Sequence, residues 1–574
     1  MCHKSVLLET PRVLRGFDVK GEDIVISRTN GEKELWIISQ GKARKLCRGF
    51  SPLFLGDDIL YCNTENDRTD ICLYQKGSSS NLTKKGRNLA PQPSPDERSI
   101  AFLSDVDGPL SLYLLNLREK KSTCILTPES PLFMRPFVWS PDGKYIIYWT
   151  LKPPLLSGEI WCLHVRTRRA ARLISFPGSS ARVGSPYMWY LSPFHPPLKS
   201  SVWVDQERFV FLSDVKGYDS FGISTLEGEI QWVDDRSDKD KEFYEVSPDG
   251  KWIAYNEYVD GTTRLVFLSL EEGKRGEVKT NGCLSHPKWS KKGVYCWESS
   301  PSEGTGILYV PLEGEPMCCY REPPPCPTFQ PVPLHFHTFD GRTIGSWLYN
   351  TKAQKVLVWL HGGPADVCLN DFDPVIQYFA SNGFAVFMPN YRGSVGYGKE
   401  FERLNRNDLG GGDLKDVVEG ISYLERQGYG PFVVGGQSYG AYLASMVLVK
   451  YPDVCEGGIC ISGMYTLLPE YASDWLINSG CIWMDLEDRD LLADRSFSNH
   501  VENLAKPVFV IHGNRDGYTP VSGLQYTLQK AKKVGKDQLF TVVLYDDEGH
   551  GLTKKEHIKE AYEMIVKFID EVTR

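Results

Sequence analysis

Three separated residues in the last third of the chain have the types and order that acyl-transfer chemistry needs: Ser438, Asp516 and His550. A serine hydroxyl is a weak nucleophile at its free pKa. It needs an imidazole to take its proton and a carboxylate to orient that imidazole. Ser438 lies in Gly436-Gln437-Ser438-Tyr439-Gly440, a G-x-S-x-G pentapeptide. Such a pentapeptide is a nucleophile elbow only where a strand enters it and a helix leaves it. Phe432 to Gly435 reads as the strand and Ala441 to Leu448 as the helix, whose N-terminus favours negative charge developing nearby. With 52 glycines in 574 residues the spacing alone is weak, and the bland reading is a glycine-rich turn holding a buried serine.

Downstream of the pentapeptide few acids and bases qualify. Asp516 follows the apolar run Val508-Phe509-Val510-Ile511 and so stands at the carboxyl end of a strand, where active-site loops collect. Read blandly, it is a solvated loop aspartate. His550 follows the run ending at Tyr545, and its neighbours Gly549 and Gly551 suit a loop that brings an imidazole up to a serine. Asp546 and Asp547 lie too near His550 in sequence to orient it from the required side. His557 falls on a helix expected over 554–568 with its ring on the exposed face, and His512 reads as a strand-end residue. An oxyanion hole takes the N–H that follows the nucleophile, here Tyr439, and a second N–H from the loop after an earlier strand. His361-Gly362-Gly363-Pro364 follows the run Val356 to Leu360 and offers the Gly363 N–H; a plain turn is the competing reading. The chemistry expected is attack of Ser438 on a peptide or acyl-amide carbonyl, with His550 as base and then acid. Asp516 fixes the imidazole, water releases the acyl-enzyme, and no metal or organic cofactor is called for.

Two kinds of element must position these groups. Beyond residue 332, apolar strands at 355–360, 385–389, 432–435, 507–512 and 540–545 alternate with helical stretches, among them 372–382 and 413–427. That alternation predicts an α/β-hydrolase domain over 333–574, a mostly parallel sheet covered on both faces. Residues 1–320 instead read as short strands throughout. Ser94-Pro95-Asp96, Ser140-Pro141-Asp142-Gly143 and Ser247-Pro248-Asp249-Gly250 repeat one turn, each followed by an apolar run. Degenerate copies at Gly21, Gly56, Asp205 and Lys292 complete seven units about 40 residues apart, the period of a four-stranded propeller blade. An N-terminal seven-bladed β-propeller is therefore expected in preference to a pair of β-sandwiches. The Pro-rich stretch 176–197 reads as a long loop between blades, and 321–332 as a proline-rich linker that cannot continue a sheet.

Composition narrows the function classes. The chain is long enough for two large domains, with 41% hydrophobic and 24% charged residues and a net charge of −8 spread without blocks. Nucleic acid and anionic membrane are thus poor partners. No apolar stretch of signal or membrane-spanning length is found, so a cytoplasmic protein is expected. The fifteen cysteines form no C-x-x-C pair and read mostly as small buried apolar residues, with a few disulfides left open. A homo-oligomer is compatible with the sequence.

Taken together, His361-Gly362-Gly363-Pro364, Asn390-Tyr391-Arg392-Gly393-Ser394, Gly436-Gln437-Ser438-Tyr439-Gly440 and Glu548-Gly549-His550-Gly551 make the chain resemble the prolyl oligopeptidase family of serine peptidases, nearest its acylaminoacyl-peptidase branch. The resemblance covers nearly the whole chain. It implies a propeller that caps the active site and admits short peptides or N-blocked aminoacyl peptides to a cavity between the domains. It also implies an arginine two residues after the catalytic aspartate, on a substrate backbone carbonyl. Here that position is Tyr518, a single neutral donor without the guanidinium fork. For the first substrate position the insertion after the elbow helix offers Tyr465, Tyr471, Trp475, Ile482 and Trp483, with Trp475 the candidate contact. Three rivals remain at this level: an esterase or amidase, a carboxypeptidase-like exopeptidase, and a propeller interaction protein with an inactive hydrolase. No acidic pair in the propeller marks an amine anchor.

Overall fold

A computed structural model describes residue 8 and residues 12–29, 32–65, 68–127, 137–152, 157–183, 201–233, 237–473 and 483–574. Seven four-stranded sheets follow one another from Arg12 to Glu322, each built of antiparallel neighbours in chain order. Every one of the seven turns picked out in the sequence lies between the first and second strands of its sheet. Gly21 joins Arg12–Lys20 to Asp23–Thr29, for example, and Asp205 precedes Arg208–Ser213. The Ser-Pro-Asp copies share one geometry. The hydroxyls of Ser94, Ser140 and Ser247 donate to Asp96, Asp142 and Asp249 at 2.6, 2.7 and 2.5 Å. They accept from the N–H five residues on, at Ser99, Tyr145 and Trp252. Gly143 and Gly250 take φ 70 in these turns, and Glu97 is held at φ 56 in the copy that lacks the glycine.

Two sequence expectations need correction. The short strand Ala181–Arg182 lies inside the Pro-rich stretch and opens the fifth blade, so that stretch is not wholly a loop; residues 184–200 are outside the described residues. The last propeller strand, Met317–Glu322, runs two residues into the stretch read as linker. Pairing with the neighbouring strand holds it there, and Arg321 bonds Glu298 at 2.5 Å.

The carboxyl-terminal sheet has eight strands: β1 Val332–His337, β2 Thr343–Tyr349, β3 Val356–Leu360, β4 Ala385–Pro389, β5 Phe432–Gln437, β6 Gly458–Ile461, β7 Val508–Gly513 and β8 Phe540–Tyr545. Their order is β1-β2-β4-β3-β5-β6-β7-β8, parallel from β4 onward and antiparallel at the β1 end. Helices cover both faces. On one side α3 (Gly412–Arg426) buries Leu414, Val417, Ile421 and Leu424, a helical stripe, beside α4 (Tyr439–Lys450). On the other, α1 (Pro374–Ser381) and α7 (Lys555–Val572) pack Ile376, Phe379, Ile565 and Phe568 against Val386, Val433 and Ile511. Every residue of α4 from Tyr439 to Val449 is buried, as the central helix of a three-layer sandwich must be.

The propeller meets the hydrolase on the side where β3 and β5 end. Ala365, Trp483 and Val395 pack into a propeller cluster that includes Phe211, Phe221 and Tyr255. Around this apolar contact, Gly396 and Gly398 N–H groups donate to Asp240 Oδ2 at 3.1 and 2.9 Å, and Arg403 pairs with Asp214 at 2.9 Å.

Candidate active site

Ser438 sits at the end of β5 with φ 57 and ψ −117, where only a forced turn puts a non-glycine residue. The turn is tight because α4 starts at the next residue and must clear β3. A side chain on Gly440 would fall 2.1 Å from Leu360 O, so this position admits no Cβ. The Ser438 N–H is tied to Ile461 O at 2.9 Å, and the cap makes no side-chain bond into the first turn of α4. The His361–Pro364 loop lies directly alongside: a Cβ built on Gly362 would stand 3.6 Å from Ser438 Cβ. His361 holds that loop from behind. Its Nε2 is 2.8 Å from Ser394 Oγ, its ring stacks on Tyr391 at 4.2 Å, and the Tyr391 hydroxyl donates to His361 O at 2.7 Å. Burial pushes the His361 imidazole down to about 4.

Asp516 and His550 come from the ends of β7 and β8 and meet: Asp516 Oδ2 is 2.8 Å from His550 Nδ1. The carboxylate is completely withdrawn from solvent while the imidazole keeps 19% of its side-chain exposure. Asp516 Oδ1 accepts from the Tyr518 and Thr519 N–H groups at 2.8 and 2.9 Å. Burial opposes its ionisation, yet the His550 bond and charge and the Thr519 bonds hold the carboxyl below its ordinary range. The His550 loop reaches the elbow through Gly551, whose N–H donates to Ser462 Oγ at 3.0 Å. A Cβ on Gly551 would lie 2.5 Å from the Gln437 amide nitrogen. The structure therefore brings Ser438, the His361–Pro364 loop, Asp516 and His550 to the carboxyl ends of β5, β3, β7 and β8, four of five neighbouring strands, with β6 between the elbow and Asp516.

The rejected residues are occupied otherwise. Asp546 accepts from Asn514 at 2.5 Å, Asp547 pairs with Lys554, and His512 lies within β7 with Nε2 bonded to Thr519 O at 2.8 Å. His557 is not on an exposed face as expected. It is partly buried, 2.9 Å from Glu548, because Glu548 turns inward to receive the Thr553 and Lys554 N–H groups that open α7.

Several supporting residues escaped the sequence reading. Thr519 places its hydroxyl 2.8 Å from Asp516 Oδ2 and 3.0 Å from Ser462 O, while Ser462, at φ 47, also anchors Gly551. The small pair Ser462-Gly463 after an apolar run was the available signal. Tyr518 is half-buried with its ring 5.2 Å from that of His550, so it does border the site. Beside Thr519 lies a small recess lined by Met464, Tyr465, Leu467, Tyr471 and Pro520. The Tyr465 hydroxyl is buried there without a hydrogen-bond partner among the described residues. Trp475 and Ile482 lie outside the described residues, and Trp483 packs into the propeller cluster instead of the recess.

With this geometry in hand, comparison with known proteins adds a lineage. A profile of the prolyl oligopeptidase family matches residues 370–574. The uncharacterized peptidase YuxL of Bacillus subtilis (strain 168) is 25% identical over 252 residues, 40% of this chain and 37% of that protein. The acylamino-acid-releasing enzyme 1 of Oryza sativa subsp. japonica is 24% identical over 236 residues, 38% of this chain and 30% of that one. The matched segment thus spans about a third of each relative's length. In fold, the likeness extends over the whole chain. A puromycin-hydrolyzing peptidase of Mycobacterium tuberculosis superposes with a TM-score of 0.86 at 16% identity, covering 100% of this chain and 96% of the other. The uncomplexed Pyrococcus horikoshii acylaminoacyl peptidase gives 0.79 at 16% identity, covering 100% and 98%.

Proposed function

We propose that this chain, whose carboxyl-terminal domain belongs to the prolyl oligopeptidase family, is a serine peptidase that hydrolyses short peptides or N-blocked aminoacyl peptides through an acyl-enzyme. The observation that carries the reading is the 2.8 Å bond between Asp516 and His550 on a loop whose next residue, Gly551, rests against Gln437 of the elbow.

In this reading Ser438 Oγ attacks the substrate carbonyl and His550 Nε2 takes its proton. Asp516 holds Nδ1–H, fixing the tautomer that leaves Nε2 free to accept and stabilising the imidazolium that follows. The proton then passes to the leaving amine. Water, deprotonated by the same imidazole, releases the acyl group. The Tyr439 and Gly363 N–H groups receive the oxyanion, and the neutrality of His361 keeps a competing cation away from that loop. The propeller restricts access: Ala365, two residues beyond Gly363, is already in contact with it, which supports a site enclosed between domains. A cytoplasmic setting belongs to the proposal. Free thiols such as Cys72 and Cys162 suit a reducing compartment, although Cys326 is disulfide-bonded.

The test is a panel of blocked aminoacyl-anilides, free oligopeptides and short-chain acyl esters, with an organophosphonate probe. Wild type should cleave the anilides or peptides and take one phosphonyl group on Ser438, and Ser438→Ala should do neither. Full hydrolysis by Ser438→Ala would overturn the assignment.

A further inference from the structure

Asp413 is a buried carboxyl group that the mechanism above does not use. It lies in the first turn of α3 and is completely shielded from solvent. Its Oδ1 accepts the Leu414 N–H at 2.7 Å, and its Oδ2 accepts the phenol of Tyr439 in a short hydrogen bond. Burial pushes the Asp413 carboxyl up to about 7 in spite of that donated bond. No cation among the described residues pairs with it, and a carboxyl group so enclosed carries a large desolvation cost. A leucine facing a phenylalanine would fill the same space without that cost. The Leu414 N–H accounts for one of its oxygens, and packing alone gives no reason for the phenol on the other.

The position of Tyr439 supplies one. It is the residue after Ser438, so its main-chain N–H is the first oxyanion donor and its side chain is the nearest handle on the strained elbow. The ring is fully buried, 5.2 Å from the Tyr442 ring and 6.3 Å from that of Tyr391. Ring contacts of this kind fix the plane of a side chain but let it slide along that plane. A hydrogen bond at the phenol end removes the sliding freedom. Ser438 provides no side-chain cap to do so from the other end.

We propose that Asp413 is a positioning residue for the oxyanion hole. By holding the Tyr439 phenol it fixes the direction of the N–H that follows Ser438. The proposal rests on the serine-peptidase reading. It requires that the effect appear in the transition state and not in substrate binding, because the developing oxyanion is what the N–H meets.

The experiment compares wild type, Tyr439→Phe, Asp413→Asn and the double variant Tyr439→Phe/Asp413→Leu on a blocked aminoacyl-anilide. It reads kcat, KM, melting temperature and the rate of phosphonylation at Ser438. The double variant is the decisive one, since it removes both polar partners of the contact and leaves an apolar pair, losing besides only the acceptor for the Leu414 N–H. Expected is a melting temperature within about 5 °C of wild type, KM within about twofold, and kcat and phosphonylation rate lowered about 10- to 100-fold, less than the loss of a whole oxyanion donor. Tyr439→Phe should show the same kcat loss. Asp413→Asn, which can keep its oxygen on the Leu414 N–H and donate its amide to the phenol oxygen, should stay within about threefold of wild type. A double variant with wild-type kcat overturns the proposal. So does an Asp413→Asn as impaired as the double variant, or a loss confined to KM. If instead wild type takes no phosphonyl group and Ser438→Ala retains hydrolysis, it is the serine-peptidase reading that falls.

Discussion

The hydroxyl of Thr519 and the His550 imidazole converge on one oxygen of Asp516: Oγ1 lies 2.8 Å and Nδ1 2.8 Å from Oδ2. A single carboxylate oxygen thus takes two side-chain donors, while its twin takes two main-chain N–H groups. Thr519→Val keeps the shape and the main-chain bond but deletes one donor to a buried charge. With hydrogen bonds to charged groups worth about 1.5–3 kcal/mol, kcat should fall roughly tenfold with KM little changed. Steady-state kinetics on an anilide substrate would read it. Unchanged kcat would mean that the hydroxyl serves Ser462 O alone.

The contact between Gly551 and Gln437 joins the imidazole loop to the elbow. Gly551→Ala meets the Gln437 amide at 2.5 Å and places a Cβ at φ 88. The backbone strain costs about 1–2 kcal/mol, and the loop must move to relieve the clash. Activity should drop at least about tenfold while the far-UV spectrum is retained. Wild-type phosphonylation kinetics in this variant would show that the loop tolerates the shift.

His361 predicts an acid limb in stability. An ordinary histidine titrates near 6.5, whereas burial holds this one down to about 4. Between those values the unfolded chain binds a proton that the folded chain refuses, so folding stability falls as the pH drops from about 6.5 to about 4. The full loss is on the order of 3 kcal/mol. Urea unfolding of the hydrolase domain at pH 7 and at pH 4.5 should show a smaller gap in His361→Gln than in wild type. Equal gaps would contradict this.

Lys399 is enclosed at the domain interface, 2.7 Å from Glu402 and 3.9 Å from Asp219 of the propeller. Asp219 also pairs with the buried Arg182 at 2.6 Å, and Lys241 Nζ donates to the Asp219 carbonyl at 2.6 Å. Lys399→Met removes one cation from a cluster whose acids stay buried, a loss on the order of 3–5 kcal/mol. Burial raises the Asp240 carboxyl pKa at the same interface, so protonation there can relieve the surplus negative charge. The destabilisation should accordingly be larger at pH 8 than at pH 5, with propeller and hydrolase transitions separating in calorimetry. A single unshifted transition at both pH values would exclude this role.

Tyr518 borders the site in the place where the family resemblance calls for arginine. Tyr518→Arg adds a forked cation that can bind a substrate backbone carbonyl. KM for peptides should fall by about two- to tenfold, with single-acyl esters unaffected. A cleavage profile of a mixed peptide library that matches wild type would show that Tyr518 makes no substrate contact.

The elements of both domains were legible because their signals are local. A Ser-Pro-Asp turn sets its own dihedrals and bonds its own backbone, so three copies and four degenerate ones at one period announced seven blades before any contact was known. The stripe Leu414, Val417, Ile421, Leu424 likewise declared the buried face of α3. The reading failed where distant residues decide the matter. Nothing near His557 in sequence says that Glu548 turns inward to meet it. The strand at Ala181 was hidden in a Pro-rich stretch because its sheet partner, at Leu212 and Ser213, is some thirty residues away.

The sequence alone determined the kinds of element, their order along the chain, and which serine, aspartate and histidine have the types and order for acyl transfer. Each depends on local patterning and chain order. Only the tertiary structure decided how those groups are held. Thr519 and Ser462 tie three loops together, Asp413 meets Tyr439 from another helix, and Trp483 leaves the recess for the propeller. Those arrangements arise from burial and hydrogen-bond satisfaction among segments that become neighbours only on folding. Their residue types, a threonine, a serine and an aspartate, carry no mark of that role in the linear chain.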